Sequence, residues 1–220
     1  IVEVACETDF SANTEDMRNF AQSSCNHILA SKADTMNGVG DAALMEEKTF
    51  NGLSLSTMLS DLIAKIAENI KITRFAKMKS ANGIVNGYMH GSTMGILVEL
   101  AVAGERPADI TALVQAAKDV AMQIAVTRPL CVSPDQLDAA VVAKESEIYA
   151  EQLRAEGKPA NMIDKILPGK LNKFYEAACL HNQKFIKDDK QTIIQMLDAV
   201  GKTAGCTLRV ARFVRFAIGQ

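Results

Sequence analysis

The chain has 220 residues, of which 48% are hydrophobic, and a formal net charge of −2. That length and apolar content suffice for one large domain or two small ones with real cores. A charge so near neutral gives no global electrostatic case for binding nucleic acid or a membrane surface. No apolar run reaches the roughly 18 residues that a membrane-spanning helix needs, and no basic start followed by an apolar stretch reads as a secretory signal.

In chain order, Ile1-Val2-Glu3-Val4-Ala5 reads as a strand from the first residue. The chain is therefore expected to be a fragment or a trimmed piece. A helix follows over about Thr14 to Ala30. The stretch from Ser31 to Asn51, rich in Asn, Gly and Thr, reads as a mobile loop. Leu55 to Ala67 is predicted helical, and Ile70 to Met78 a strand of period two, with Ile70, Ile72, Arg74, Ala76 and Met78 on one face. Ile84 to His90 and Met94 to Val102 form a predicted hairpin around Gly91-Ser92. Asp109 to Val126 is an amphipathic helix whose inner face is Ile110, Leu113, Val114, Ala117, Ala121 and Ile124, ended by Pro129.

Ser133-Pro134-Asp135-Gln136 has the pattern of a capping box with proline at the first helical position. Helix formers then run to Ala155. Glu156-Gly157-Lys158-Pro159 makes a turn, and a second helical stretch runs from Ala160 toward Leu180, with Pro168-Gly169 expected to break or kink it. Leu137, Val141, Ile148 and Ala155 give this helical hairpin only a thin apolar seam, which suits a docking arm or a dimerising strut. Asp189 to Ala204 is predicted helical. Leu208 to Ile218 closes the chain as a strand.

Two of these segments repeat. Ile1-Val2-Glu3-Val4-Ala5 resembles Leu97-Val98-Glu99-Leu100-Ala101, and Ile70-Lys71-Ile72-Thr73-Arg74-Phe75-Ala76 resembles Leu208-Arg209-Val210-Ala211-Arg212-Phe213-Val214, in the same order. About 73 positions separate Ile1 from Arg74, and about 115 separate Leu97 from Arg212; the excess of about 42 is an insertion in the second copy. The expected fold is α+β: two related subdomains, each a small antiparallel sheet covered by helices, with the helical hairpin inserted in the second. The boundaries are 1–80 for the first subdomain, 81–132 with 176–220 for the second, and 133–175 for the hairpin. By this symmetry the first copy lacks a partner strand ahead of Ile1.

Catalytic signatures are absent: there is no phosphate-binding loop, dinucleotide fingerprint, nucleophile elbow or zinc-protease motif. His27, His90 and His181 lack ligand spacing, and five scattered cysteines contain no C-x-x-C pair, so no metal site is expected. The cysteines read as reduced thiols of a cytosolic or organelle-matrix protein. Nothing local activates Cys6 as a nucleophile. Thr8-Asp9-Phe10, directly after the first strand, has two readings. In one, Asp9 starts a turn and Phe10 packs into the core. In the other, the strand end presents Asp9 and Phe10 to a partner.

Further residues bear on that choice. Glu7-Thr8-Asp9-Phe10-Ser11-Ala12-Asn13 resembles the signature of the elongation factor Ts family, in which Thr-Asp-Phe is followed by Val-Ala. In the family's order follow Lys65-Ile66-Ala67-Glu68-Asn69-Ile70, resembling Ile-Gly-Glu-Asn-Ile, and Tyr88-Met89-His90-Gly91, resembling Tyr-x-His-Gly. Ala116 to Ala125 resembles its Ala-Lys-Asp-Ile-Ala-Met-His-Ile-Ala helix. Glu156-Gly157-Lys158-Pro159 and Gly169 to Tyr175 resemble its hairpin turn and return helix. The resemblance covers essentially the whole chain. Ser11 stands where the family usually has Val, Ala67 where it has Gly, Pro168 is unusual in the return helix, and the family's N-terminal three-helix module has no counterpart here.

The resemblance implies a non-enzymatic guanine-nucleotide exchange factor, needing no cofactor, that binds elongation factor Tu and promotes GDP release. It implies partner contacts at Asp9 and Phe10, which wedge between helices of the GTPase domain near the magnesium and phosphate site. Ile66 and Ala67 would touch the same domain, and His90 a second domain of the partner. It also implies a bacterial cytoplasm or an organelle matrix, no membrane, no direct nucleic acid, and a possible homodimer through the helical hairpin. The alternative, an RNA- or ribosome-associated binding protein on the same scaffold, rests on Arg209, Arg212 and Arg215, which alternate between strand faces and form no single basic stripe.

Overall fold

The computed structural model describes residues 1–31, 42–48 and 52–219. Its architecture is α+β, small antiparallel sheets covered by helices. The chain forms two compact units: Ile1–Lys79 with Thr93–Gly95 and Phe216–Gln220, and Ser80–Ser92 with Ile96–Arg215.

In the first unit, strand β1 (Val2–Ala5) leads into a four-residue helix α1 (Asp9–Ala12) and then α2 (Glu15–Ala30), which Thr14 caps by accepting from the Met17 amide. Most of the expected loop from Ser31 to Asn51 lies outside the described residues. Its described part includes a short helix α3 (Ala42–Glu46) whose Leu44 is buried, so that stretch is ordered where the polar composition suggested a loop. Helix α4 (Leu55–Ile66), capped by Ser54, returns the chain to strand β2 (Lys71–Phe75), antiparallel to β1. Met17, Phe20, Leu62 and Ile70 form one part of the core, and Ile28, Leu44, Leu55 and Phe75 another.

The expected strict alternation along β2 fails at one residue. Val4 pairs with Ile72 but Glu3 pairs with Arg74, leaving Thr73 as a bulge. One extra residue reverses the phase of everything after it. Ile70 and Ile72 face the core, and so does Phe75, 1% exposed; Arg74 instead meets Glu3 across the strands at 2.7 Å. The hydroxyl of Thr73 donates to the same carboxylate, so the bulge has its own anchor.

The second unit contains most of a three-stranded sheet, β3 (Ile84–His90), β4 (Met94–Ala103) and β7 (Thr207–Ala217), in the order β3-β4-β7. Helix α5 (Thr111–Thr127) buries Leu113, Ala117, Val120, Ala121 and Ile124; Val114, expected inward, is partly exposed. Gln123 is fully buried on that face. Its amide donates to Gln183 Oε1 and the Lys184 carbonyl, and its oxygen accepts from the Ile186 amide.

Ser133 does not open a long helix. Pro134–Gln136 is a single 3-10 turn with no side-chain cap, and α6 (Ala139–Ala155) begins at its own cap, Asp138. Helix α7 (Ala160–Ala178) runs through Pro168 without a break. The hairpin's seam is Ala150, Leu153 and Ile163, with Ile166 half-buried; Val141 and Ala155 are exposed and Leu137 packs against Cys131 and Cys179 instead. Asp189 does not start a helix either. A small hairpin of β5 (Lys184–Phe185) and β6 (Asp188–Thr192) comes first, and α8 (Ile193–Ala204) starts from a capping box of Thr192 and Gln195.

The duplication has a physical signature. Glu3 and Glu99 occupy matching positions of the repeat, as do Arg74 and Arg212. The structure pairs Glu3 with Arg74 and Glu99 with Arg212, the latter at 2.6 Å. Each copy also ends the helix before its closing strand on a left-handed residue, Ala67 at φ 61° and Gly205 at φ 74°.

Candidate functional site

The segment between β1 and α2 makes a tip. Thr8 caps α1 by accepting from the Ser11 amide, the Ala12 amide reaches the Thr8 carbonyl, and Asn13 Nδ2 donates to the Asp9 carbonyl at 2.8 Å. Ser11 turns inward and is buried. Asp9 and Phe10 turn outward, and Phe10 is 90% exposed, which excludes the reading of Phe10 as a core residue.

A four-residue helix has too few internal hydrogen bonds to hold itself. The carboxylate of Glu68 supplies the missing partners. Its Oε2 accepts from the amides of Glu7 at 3.1 Å and Thr8 at 3.2 Å, and its Oε1 from the hydroxyls of Thr8 at 2.7 Å and Ser11 at 2.5 Å. These bonds, the Ser11 hydroxyl's first and then the Thr8 hydroxyl's, hold the Glu68 carboxyl below the usual glutamate range. Burial, and then the nearby Glu68 charge, push the Cys6 thiol up.

Glu68 reaches the tip because of the turn that precedes it. Ala67 adopts the left-handed conformation as the C-cap of α4, its amide donating to the Ile63 carbonyl at 2.8 Å. That reverses the chain and aims Glu68 back at residues 7–11. Ile66 is half-buried against the cluster around Phe20 and Leu62, while Ala67 is exposed. Asp9, Phe10, Ile66 and Ala67 thus belong to one unit, with the tip tied to the end of α4 by Glu68.

His90 belongs to the other unit, exposed at the end of β3. Its Nδ1 lies 3.1 Å from the Tyr88 hydroxyl, with the two rings tilted and their centroids 6.1 Å apart. His27 is buried with its ring nitrogen against the Leu44 carbonyl. Burial, and then the neighbouring Arg209 charge, hold the His181 imidazole below its ordinary value.

The five cysteines are free; Cys131 and Cys179 are buried with sulfurs 3.6 Å apart, and burial pushes the Cys179 thiol up to about 12. Among the described residues no group of His, Cys, Asp and Glu is arranged to hold a metal ion, and no helix is long and apolar enough to cross a membrane. Of the three arginines behind the RNA-binding alternative, Arg209 pairs with Asp198 and Arg212 with Glu99, which leaves that alternative with less free positive charge.

Glu68 was not among the candidate contact residues, and Ser11 stood out only as a departure from the family's usual Val. The signal was present but dispersed. An acid directly after a helix C-cap reads as a surface charge, and a serine in a turn reads as local capping, until a separation of 57 residues is closed.

A family model described as Elongation factor TS matches residues 7–220. The elongation factor Ts of Clostridium botulinum (strain Eklund 17B / Type B) is 38% identical over 221 residues, covering all of this chain and 70% of the relative. That of Methylococcus capsulatus is 38% identical over 220 residues, covering all of this chain and 68% of the relative. That of Nautilia profundicola is 36% identical over 223 residues, with all of this chain and 70% of the relative covered. The fold, the exposed tip and these relatives together define a factor of translation elongation. The chain belongs to the elongation factor Ts family.

Proposed function

We propose that this chain is a guanine-nucleotide exchange factor that binds elongation factor Tu and promotes release of GDP, with Asp9 and Phe10 as the docking tip. The observation that carries the reading is Phe10, 90% exposed yet held in a turn tied to Glu68. A large aromatic kept in water at a fixed position loses little further freedom on docking, which favours it as an anchor. Ile66, Ala67 and His90 are proposed as further contacts. The mechanism is linkage. A factor that binds the nucleotide-free GTPase more tightly than the GDP-bound form weakens GDP binding by the same factor. It needs no acid, base or nucleophile, so the chain acts as an exchange factor and not as an enzyme.

The test is release of labelled GDP from elongation factor Tu. Phe10→Ala is expected to lose about 2 kcal/mol of stabilisation of the exchange-competent complex, roughly a thirtyfold slower stimulated release. Its denaturation midpoint is expected to stay near that of the parent chain. Normal exchange by the folded variant would remove Phe10 from the mechanism.

A further inference from the structure

The Glu68 carboxylate is not among the proposed contact residues, and its hydrogen bonds go to the tip itself. We infer that Glu68 is a positioning residue: it holds the Thr8–Ser11 turn in the conformation that presents Phe10, with Ser11 as its second hook. This inference rests on the proposed role of Phe10 in exchange.

Four donors converge on one carboxylate, two backbone amides and two hydroxyls. All four lie within residues 7–11, and the acceptor comes from 57 to 61 residues away. Such a bond pattern fixes the turn from outside. Without it, the amides of Glu7 and Thr8 lose their acceptor, and the turn keeps only local bonds, among them the Thr8 cap, the Asn13 side-chain bond and the backbone bonds of Ala12, Asn13 and Thr14. The Thr8 hydroxyl is shared. It donates to Glu68 and accepts from the Ser11 amide, so Glu68 also orients the cap of the helix on which Phe10 sits. A charged acceptor makes each of these bonds stronger than a neutral one would.

The consequence is preorganisation. With Glu68 removed the turn samples many conformations, and docking has to freeze one of them. The loss appears in exchange more than in global stability, because Glu68 holds a short turn whose Asp9 and Phe10 are exposed and is itself a member of neither core cluster of this unit.

The experiment is a double-mutant cycle on Glu68 and Phe10, read by labelled GDP release from elongation factor Tu. Amide hydrogen exchange at residues 8–13 and the denaturation midpoint are read on the same samples. Glu68→Ala is expected to slow stimulated release roughly tenfold, to speed amide exchange at Ser11 and Ala12, and to leave the midpoint nearly unchanged. In the Phe10→Ala background it is expected to add almost nothing, since there is no wedge left to position. Ser11→Ala should fall between the parent chain and Glu68→Ala. Glu68→Gln keeps a carbonyl acceptor for the two amides and is expected to restore most of the rate.

Full exchange by Glu68→Ala beside slow exchange by Phe10→Ala would overturn the positioning role and leave the docking tip intact. Full exchange by both would overturn the docking tip itself. An equal further loss in the Phe10→Ala background, or a Glu68→Gln variant as slow as Glu68→Ala, would make Glu68 a charged contact with the partner and overturn the inference. Should Glu68→Ala fail to fold, the comparison of Glu68→Gln with Ser11→Ala decides on the same criteria.

Discussion

The two copies of the repeat use one scaffold and finish it differently. Both close their paired strands with a Glu–Arg bridge, and both end the preceding helix on a left-handed residue. In the first copy the residue after that cap is Glu68, and the loop it grips carries Phe10 outward. In the second the matching residue is Cys206, and the matching loop, Ala103-Gly104-Glu105-Arg106, receives no such carboxylate from it. The shared features maintain the sheet. The feature that differs sits where the proposed docking tip sits.

The largest test of this comparison is at the bulge. Phe75 and Phe213 match in the repeat, yet beyond the bulge at Thr73 Phe75 is buried while Phe213 is half-exposed. Phe75→Ala is expected to cost about 3–5 kcal/mol and Phe213→Ala clearly less, by chemical denaturation. Equal costs would mean that the two strands present the same face.

The two bridges come next. Glu3 also accepts from Thr73, and its bridge is the less exposed, so Glu3→Gln is expected to lose about 1.5 kcal/mol. Glu99→Gln, opposite a guanidinium that is 48% exposed, is expected to lose less than about 1 kcal/mol.

The two caps should respond in opposite directions. A side chain added at Gly205 meets no neighbouring atom, so Gly205→Ala costs only the left-handed strain, about 1 kcal/mol. Ala67→Gly relieves that strain and is expected to raise stability by up to about 1 kcal/mol. A loss of stability at both positions would show that Ala67 is not strained.

The smallest effect is on pH dependence. Hydrogen bonds hold the folded-state pKa of Glu68 below its unfolded value. Its contribution is therefore complete above the ordinary glutamate range and disappears as pH falls through the depressed folded value. Glu68→Ala should lower stability slightly at neutral pH and converge with the parent chain at low pH, which flattens the acid limb. A loss that persists undiminished below the depressed folded value would contradict the assignment.

Much of this was legible in residue order. The alternation of Leu208, Val210, Val214 and Phe216 gave away β7, the period of α5 was clear, and the repeat placed Glu3 and Arg74 in the same relation as Glu99 and Arg212. Three features were not. The bulge at Thr73 depends on a hydroxyl finding a carboxylate about 70 positions away. The β5–β6 hairpin is polar and short, and Asp189 beside helix formers reads as a cap. The clamp on the tip joins segments with no common period. Local propensity cannot report a bond whose two ends are set by the closing of a sheet.

That closing has a consequence for synthesis. Glu3 and Arg74 are 71 positions apart, and Glu99 and Arg212 are 113 apart. At roughly 5–20 residues per second of translation, β1 waits about 4–14 s for β2, and one edge of β4 waits about 6–23 s for β7. In that interval α6 and α7, joined by a short turn, can form from local contacts alone, whereas both sheets depend on slow long-range closure. Each waiting strand exposes an open hydrogen-bonding edge to the other nascent chains of a crowded polysome. A factor of protein synthesis therefore carries its own aggregation window into the act of being synthesised.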